Sequence, residues 1–202
     1  MLWLFKKSIH SIFIQFLELI QIKNHRPYIK WGLLNKWDLF YIKISNQNLE
    51  KISSFTLAGS IKYSKITDTN FQNNDFQNSS GFSYSKFVNC NFKYSNLSKI
   101  SLHEVTIEKS NFSNTILNFS DIGYSLLSEV DFSFTNAAGA DFRYSKMKNC
   151  TFSNSNLKNT NFTNCILHHI DFTGCDLSGA IFLGTDTTTC IFTNTKLIET
   201  IF

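Results

Sequence analysis

The sequence predicts an all-β solenoid built from four-sided coils of twenty residues, and three regularities predict it. Every fifth residue from Phe82 to Phe202 is a large apolar one, the residue two places before it is small, and positions twenty apart repeat each other's size. The first regularity holds at 23 of 25 sites, broken only by Ala137 and Thr187. Phe, Leu, Ile and Met fill 63 of 202 positions overall, so chance would place roughly 8 of them there. A period of five matches neither the 3.6 of an amphipathic helix nor the 2 of a long strand.

The repeating unit can be justified position by position. The small site holds Cys90, Ser95, Ser110, Thr115, Ser120, Ser125, Thr135, Ala140, Ser145, Cys150, Ser155, Thr160, Cys165, Cys175 and Ala180, with Ile100, Val105, Val130 and Ile170 as larger exceptions. Two inward side chains flanking one outward residue is strand alternation, which leaves two residues for a corner. The outward residue between them is Asn or Asp at Asn91, Asn96, Asn111, Asp121, Asp131, Asn136, Asp141, Asn156, Asn161, Asp171, Asp176 and Asp186. The last position is Gly or Asn at Asn89, Asn114, Gly139, Asn149, Asn154, Asn159, Asn164, Gly174, Gly179, Gly184 and Asn194, residues that tolerate the positive φ of a tight turn. Four such sides close a coil of twenty. Accordingly Phe92, Phe112, Phe132, Phe152, Phe172 and Phe192 form one column, and Leu97, Leu117, Ala137, Leu157, Leu177 and Leu197 another. At about 4.8 Å per coil, about seven coils make a rod of roughly 34 Å.

Segments such as Thr160-Asn161-Phe162-Thr163-Asn164 and Cys175-Asp176-Leu177-Ser178-Gly179 resemble the unit A(D/N)LXX of the pentapeptide repeat family. The resemblance runs from Ile61 to Phe202 and implies that family's fold, a right-handed quadrilateral β-helix with four repeats per coil. Three segments are expected: an amphipathic helix over 1–22, an irregular lead-in over 23–60, and the repeat β-helix over 61–202. Within the last, the six-residue step from Phe76 to Phe82 reads as a one-residue bulge around Gln77 to Gly81. Upstream, Leu34, Leu39, Ile44 and Leu49 hint at the same spacing.

In the first segment Leu2, Phe5, Ile9, Phe13, Phe16 and Ile20 share one helical face, with Trp3 beside Phe5 at its start. This face either caps the first coil or lies on a membrane, where Trp3, Phe5, Lys6 and Lys7 suit an interfacial helix. A signal peptide is the third reading, although no small-residue cleavage site follows. No uncharged apolar run reaches the length of a spanning helix. At the other end the repeats stop at Ile201-Phe202 with no polar cap, which suggests a homodimer through Leu197, Ile201 and Phe202.

Chemistry is sparse. His103, His168 and His169 fall at outward positions, no nucleophile, base and acid recur together, and no catalytic residue, metal or cofactor is expected. No two of the five cysteines are twenty residues apart, so they read as small core residues suited to a cytoplasmic or other reducing compartment, with membrane association left open. Residues 1–62 carry nine Lys and Arg against three Asp and Glu, while 63–202 carry ten against twelve, so the net +4 belongs to the N-terminal part. That is too little positive charge for a dedicated nucleic-acid binder. Tyr84, Tyr94, Phe119, Tyr124, Phe134 and Tyr144 stand at the last, outward position of their repeats and form the candidate surface for a protein partner or for the N-terminal segment. The expected function is a non-enzymatic interaction or scaffold module. The alternative comes from the resemblance: some family members imitate duplex DNA and protect DNA gyrase, which calls for a strongly negative rod.

Overall fold

The structure is a computed structural model that describes residues 38–41, 43–50, 60–77 and 79–202. The amphipathic segment over 1–22 lies outside the described residues, as does the greater part of the expected lead-in. The described chain winds as a parallel β-solenoid, with six complete twenty-residue coils between 81 and 200.

Naming the sides by their central residues, side one carries Phe82, Leu102, Ile122, Phe142, Phe162 and Phe182; side two Phe87, Ile107, Leu127, Met147 and Leu167; side three the phenylalanine column; side four the leucine column. Side two is the regular sheet. Strands β2 (Lys43–Ser45), β4 (Lys65–Thr67), β5 (Lys86–Val88), β6 (Thr106–Glu108), β7 (Leu126–Ser128), β8 (Lys146–Lys148) and β9 (Ile166–His168) stack in parallel register, one per coil. On side one β1 (Asp38–Phe40) pairs with β3 (Ser60–Lys62). Elsewhere the coils meet through isolated parallel bridges, such as Asn91 to Asn111 and Asp131 to Thr151.

An Asn or Asp precedes the buried residue at most places on the other three sides and supports their turns, although Ile116, Ile181 and Ile191 lead into the same turns without one. The Asn or Asp side-chain oxygen accepts the amide of the residue after the buried one, as Asn91 does from Lys93 at 3.1 Å and Asp131 from Ser133 at 2.8 Å, and this tightens the backbone into a turn. Side two has Lys65, Lys86, Thr106, Leu126, Lys146 and Ile166 at that place and stays extended. Where Asp186 takes the place, it accepts the Thr188 amide at 2.9 Å and the strand series stops at β9.

Inside, the phenylalanines stack from coil to coil. Phe132 and Phe152 are 4.8 Å apart, Phe162 and Phe182 4.9 Å, and neighbouring columns meet edge to face, Phe142 against Phe152 at 89°. The small hydroxyls beside them join successive coils. Ser145 Oγ accepts the Ser125 amide at 3.0 Å and donates to the Ile122 carbonyl at 2.8 Å; Ser155 does the same between Thr135 and Phe132. These buried side chains are therefore satisfied by the backbone they touch.

Two differences from the sequence reading concern the lower end and the corners. The coil does not begin at 61: β1 and β2 already pair in register with β3 and β4, so residues 38–41 and 43–50, expected to be irregular, are solenoid. The physical cause is a longer coil. Leu39, Ile44 and Leu49 sit 22 residues below Ile61, Ile66 and Phe71, and the next coil up takes 21, the extra residue falling in the bulge where Gly81 donates to Ser79 Oγ at 3.1 Å. At the corners, every described last position except Thr189 has a positive φ, from 50° to 71°. Asn and Gly are expected there, yet Tyr, Phe, Lys, Glu and His adopt the same conformation, because closing a four-sided coil demands it whatever residue is present.

Candidate interaction surface

The aromatic residues singled out in the sequence do not share one surface. Tyr84, Tyr124 and Tyr144 stand on the corner between sides one and two, Tyr94 and Phe134 on the corner after side three, and Phe119 on the corner after side four. Phe119 lies over Gly139, its ring 2.6 Å from where a Cβ would stand, while Tyr94 holds the Lys93 ammonium 4.9 Å from its ring centre.

The first corner is the one that forms a continuous feature. Reading up the solenoid it carries Tyr41, Tyr63, Tyr84, Glu104, Tyr124 and Tyr144. Tyr41 and Tyr63 stack at 5.3 Å, Tyr63 and Tyr84 at 4.7 Å with their planes 1° apart, and Tyr124 and Tyr144 at 4.8 Å. In the coil where Glu104 interrupts the row, the His103 ring leans on Tyr124 at 5.2 Å, and its nitrogens face Asp121 at 3.1 Å and Glu104 at 3.6 Å. All five tyrosines are exposed, Tyr41 most of all at 72%. The phenol of Tyr63 is pushed above its usual pKa, first by the desolvation it suffers and then by Tyr84, Tyr41 and Glu104, so it remains a hydrogen-bond donor. Tyr41 and Tyr63 escape a search at strict twenty-residue spacing because they lie below the longer coils; following the five-residue phase through those steps brings them into line.

Cations flank this rail. On side two the row beside it runs Lys43, Lys65, Lys86, Thr106, Leu126, Lys146, and on side one Lys62, Ser83, His103, Gly123, Arg143. Lys86 meets Glu108 at 2.6 Å and Arg143 meets Asp141 at 2.6 Å.

The remaining chemistry is subdued. Burial pushes the thiols of Cys90, Cys150 and Cys175 up to about 11 and that of Cys165 to about 12, so none is a thiolate nucleophile near neutral pH. Among the described residues no three His, Cys, Asp or Glu side chains gather as a metal would require. His168 and His169 are exposed on β9 and its corner. At the last coil Leu197, Ile201 and Phe202 are open at 41%, 46% and 58%, with Phe202 stacked on Phe182 at 5.2 Å.

Two family models match, the pentapeptide repeat region over residues 125–202 and pentapeptide repeats in eight copies over 85–121. No curated protein matches the sequence. Among solved structures the chain is similar to HetL, a pentapeptide repeat protein involved in heterocyst differentiation regulation from the cyanobacterium Nostoc sp. strain PCC 7120, with 15% identity, a TM-score of 0.42 and coverage of 85% of this chain and 92% of that one. A trypsin-treated form of QnrB1, a plasmid-mediated fluoroquinolone resistance protein, follows with 19% identity, a TM-score of 0.41 and coverage of 80% and 79%. A pentapeptide repeat protein from the Arabidopsis thaliana thylakoid lumen shares 15% identity at a TM-score of 0.30, covering 67% and 68%.

Proposed function

Since the chain belongs to the pentapeptide repeat family, we propose that it works without catalysis, as a stiff interaction or scaffold module that meets its partner through outward residues of the coils. One observation carries this reading. The interior is filled by side chains from wall to wall, with Phe92, Phe112, Phe152, Phe162 and Phe172 fully buried in mutual contact, so what varies from coil to coil is what the corners and outer rows display. The tyrosine rail is a continuous display of this kind along one corner, and aromatic residues of this type are where a partner gains from contact.

Cross-linking of the full chain in extract of its own cells, read by mass spectrometry, tests the proposal. Partners captured by the unchanged chain and lost when Tyr84, Tyr124 and Tyr144 are replaced by Ser support it. The same set captured by both chains overturns the assignment to this corner. The gyrase alternative lacks comparable support: a DNA-like surface needs rows of carboxylates, whereas the outward row of side two reads Lys65, Lys86, Thr106, Leu126, Lys146, Ile166.

A further inference from the structure

At the lower end of the solenoid two rows run side by side. Tyr41, Tyr63 and Tyr84 stack along the corner, and two residues further on in each coil stand Lys43, Lys65 and Lys86. The strand register pairs Lys43 with Lys65 and Lys65 with Lys86, so three ammonium-bearing residues occupy consecutive strands about 4.8 Å apart. Glu108 meets Lys86, and Lys62 adds another cation on the far side of the tyrosines.

The chemistry of this corner selects among anionic partners. Single-stranded nucleic acid would stack its bases on open ring faces, but the faces of Tyr63 are covered at 5.3 Å and 4.7 Å by its neighbours. What the rail offers outward is ring edge and hydroxyl. It is also a convex ridge at a corner, and from Tyr41 to Tyr144 it spans five coil steps, about 24 Å. Such a ridge meets a plane along its length but gives an extended peptide no groove. Phenols with an apolar body and a polar tip, flanked on both sides by long cationic chains, match the headgroup layer of a bilayer.

We propose that the Tyr41–Tyr63–Tyr84 rail with Lys43, Lys65, Lys86 and Lys62 is a docking surface for an anionic lipid bilayer. The proposal deepens the interaction-module reading by assigning one corner to a membrane surface. It stands apart from any role of residues 1–22. Each lysine brought to an anionic surface contributes up to about a fivefold gain in partitioning, and with Lys86 shared with Glu108 the strand lysines together are worth roughly tenfold or more.

Flotation of the full chain with vesicles of phosphatidylcholine alone, and of phosphatidylcholine with phosphatidylglycerol, tests this, beside Lys43→Glu/Lys65→Glu/Lys86→Glu and Tyr41→Ser/Tyr63→Ser/Tyr84→Ser chains shown to be folded by circular dichroism. The expected result is flotation only with phosphatidylglycerol, loss of it in high salt, and at least roughly tenfold weaker partitioning of the lysine variant. Should the tyrosine variant fail to fold, the lysine variant decides. The proposal is overturned if the unchanged chain does not float, or if the lysine variant floats as well as it does, which would assign the binding to other residues. Binding of the unchanged chain to poly-glutamate but not to vesicles overturns it in favour of an acidic protein partner. A chain that fails to float still leaves the broader reading to the cross-linking test, so the two fail distinguishably.

Discussion

The coils between 141 and 184 and those between 60 and 104 share a core but turn their corners with different residues. In the upper coils Asn154 turns the corner after side three, and in the next coil Gly174 takes the same place with φ of 70°, its open side filled by the Asn154 carboxamide. Asn159 over Gly179 and Asn164 over Gly184 repeat the arrangement. In the lower coils Tyr63, Tyr84, Tyr94, Lys99 and Glu104 hold the same left-handed conformation with φ between 54° and 62°. A bulky residue there costs about 1 kcal/mol or more, where Gly costs nothing and Asn little. Tyr144 and His169 apart, the upper corners are thus built for ease of closure. These five lower ones, unlike Asn73 and Asn89, accept strain and keep a longer side chain on the surface.

If the cores are the same, deleting one ring must cost the same in both regions. Phe92 lies between Phe71 at 4.7 Å and Phe112 at 4.6 Å; Phe152 lies between Phe132 at 4.8 Å and Phe172 at 5.5 Å, and both are fully buried. Phe92→Ala and Phe152→Ala are each expected to remove roughly 3–5 kcal/mol, measured by urea unfolding. A much smaller loss for Phe92 would mean that the column does not run unbroken through the longer coils.

The next largest effect falls on the joint between the regions. Gly81 closes the bulge with φ of 104°, its carbonyl accepting the Ile61 amide at 3.0 Å, and an added Cβ would collide with the backbone carbonyl of Ser101 in the next coil. Gly81→Ala should cost roughly 2–4 kcal/mol, since neither the left-handed backbone nor the facing carbonyl can yield cheaply. A loss under about 1 kcal/mol in the same urea experiment would show that the lower coils are looser than their hydrogen bonds indicate.

What could be read beforehand follows from this geometry. The period of five and the phenylalanine column were legible because each core contact joins residues at a constant separation, so packing writes itself directly into spacing. The Asn and Asp positions were visible, but their purpose, bonding the amide two residues on, needed coordinates. The conformation of Tyr84 or Glu104 could not be inferred, since coil closure imposes it against the residue's own preference. Tyr41 and Tyr63 were lost to the candidate surface through the extra residues in two coils, which shift the register without disturbing the stack.

Corner strain itself can be measured by exchanging the two solutions. Gly174→Ala places a Cβ 2.5 Å from Asn154 Oδ1 in a left-handed backbone and should cost roughly 1–2 kcal/mol. Tyr84→Asn removes the strain of a bulky residue but also its stacking on Tyr63, so its net effect should lie within about 1 kcal/mol of zero while the exposed surface is lost. Thermal midpoints of both chains decide: a Tyr84→Asn chain destabilised as much as Gly174→Ala would make the tyrosine rail a structural brace, and the contrast between the regions would disappear.

The smallest effect separates the regions by charge. Asp176, in the upper coils, accepts the Ser178 hydroxyl at 2.6 Å and its amide at 3.1 Å, and faces Lys158 at 3.3 Å and Lys196 at 3.4 Å. Partial burial works to raise the pKa of its carboxyl, but the Ser178 bonds and the two ammonium groups outweigh that and hold it down to about 2, against 3.8 ordinarily. A depressed folded-state pKa contributes stability that is present above the unfolded value and lost as pH falls through the folded one, here from about 4 to about 2. Because the group is at the surface, Asp176→Asn should remove no more than about 1 kcal/mol at neutral pH and flatten the acid limb of the stability curve in that window. An acid limb unchanged by Asp176→Asn would show that the lysines on coils either side do not hold this carboxylate in solution, and would leave the upper coils joined by core, backbone and the side-chain bonds of their hydroxyls and carboxamides.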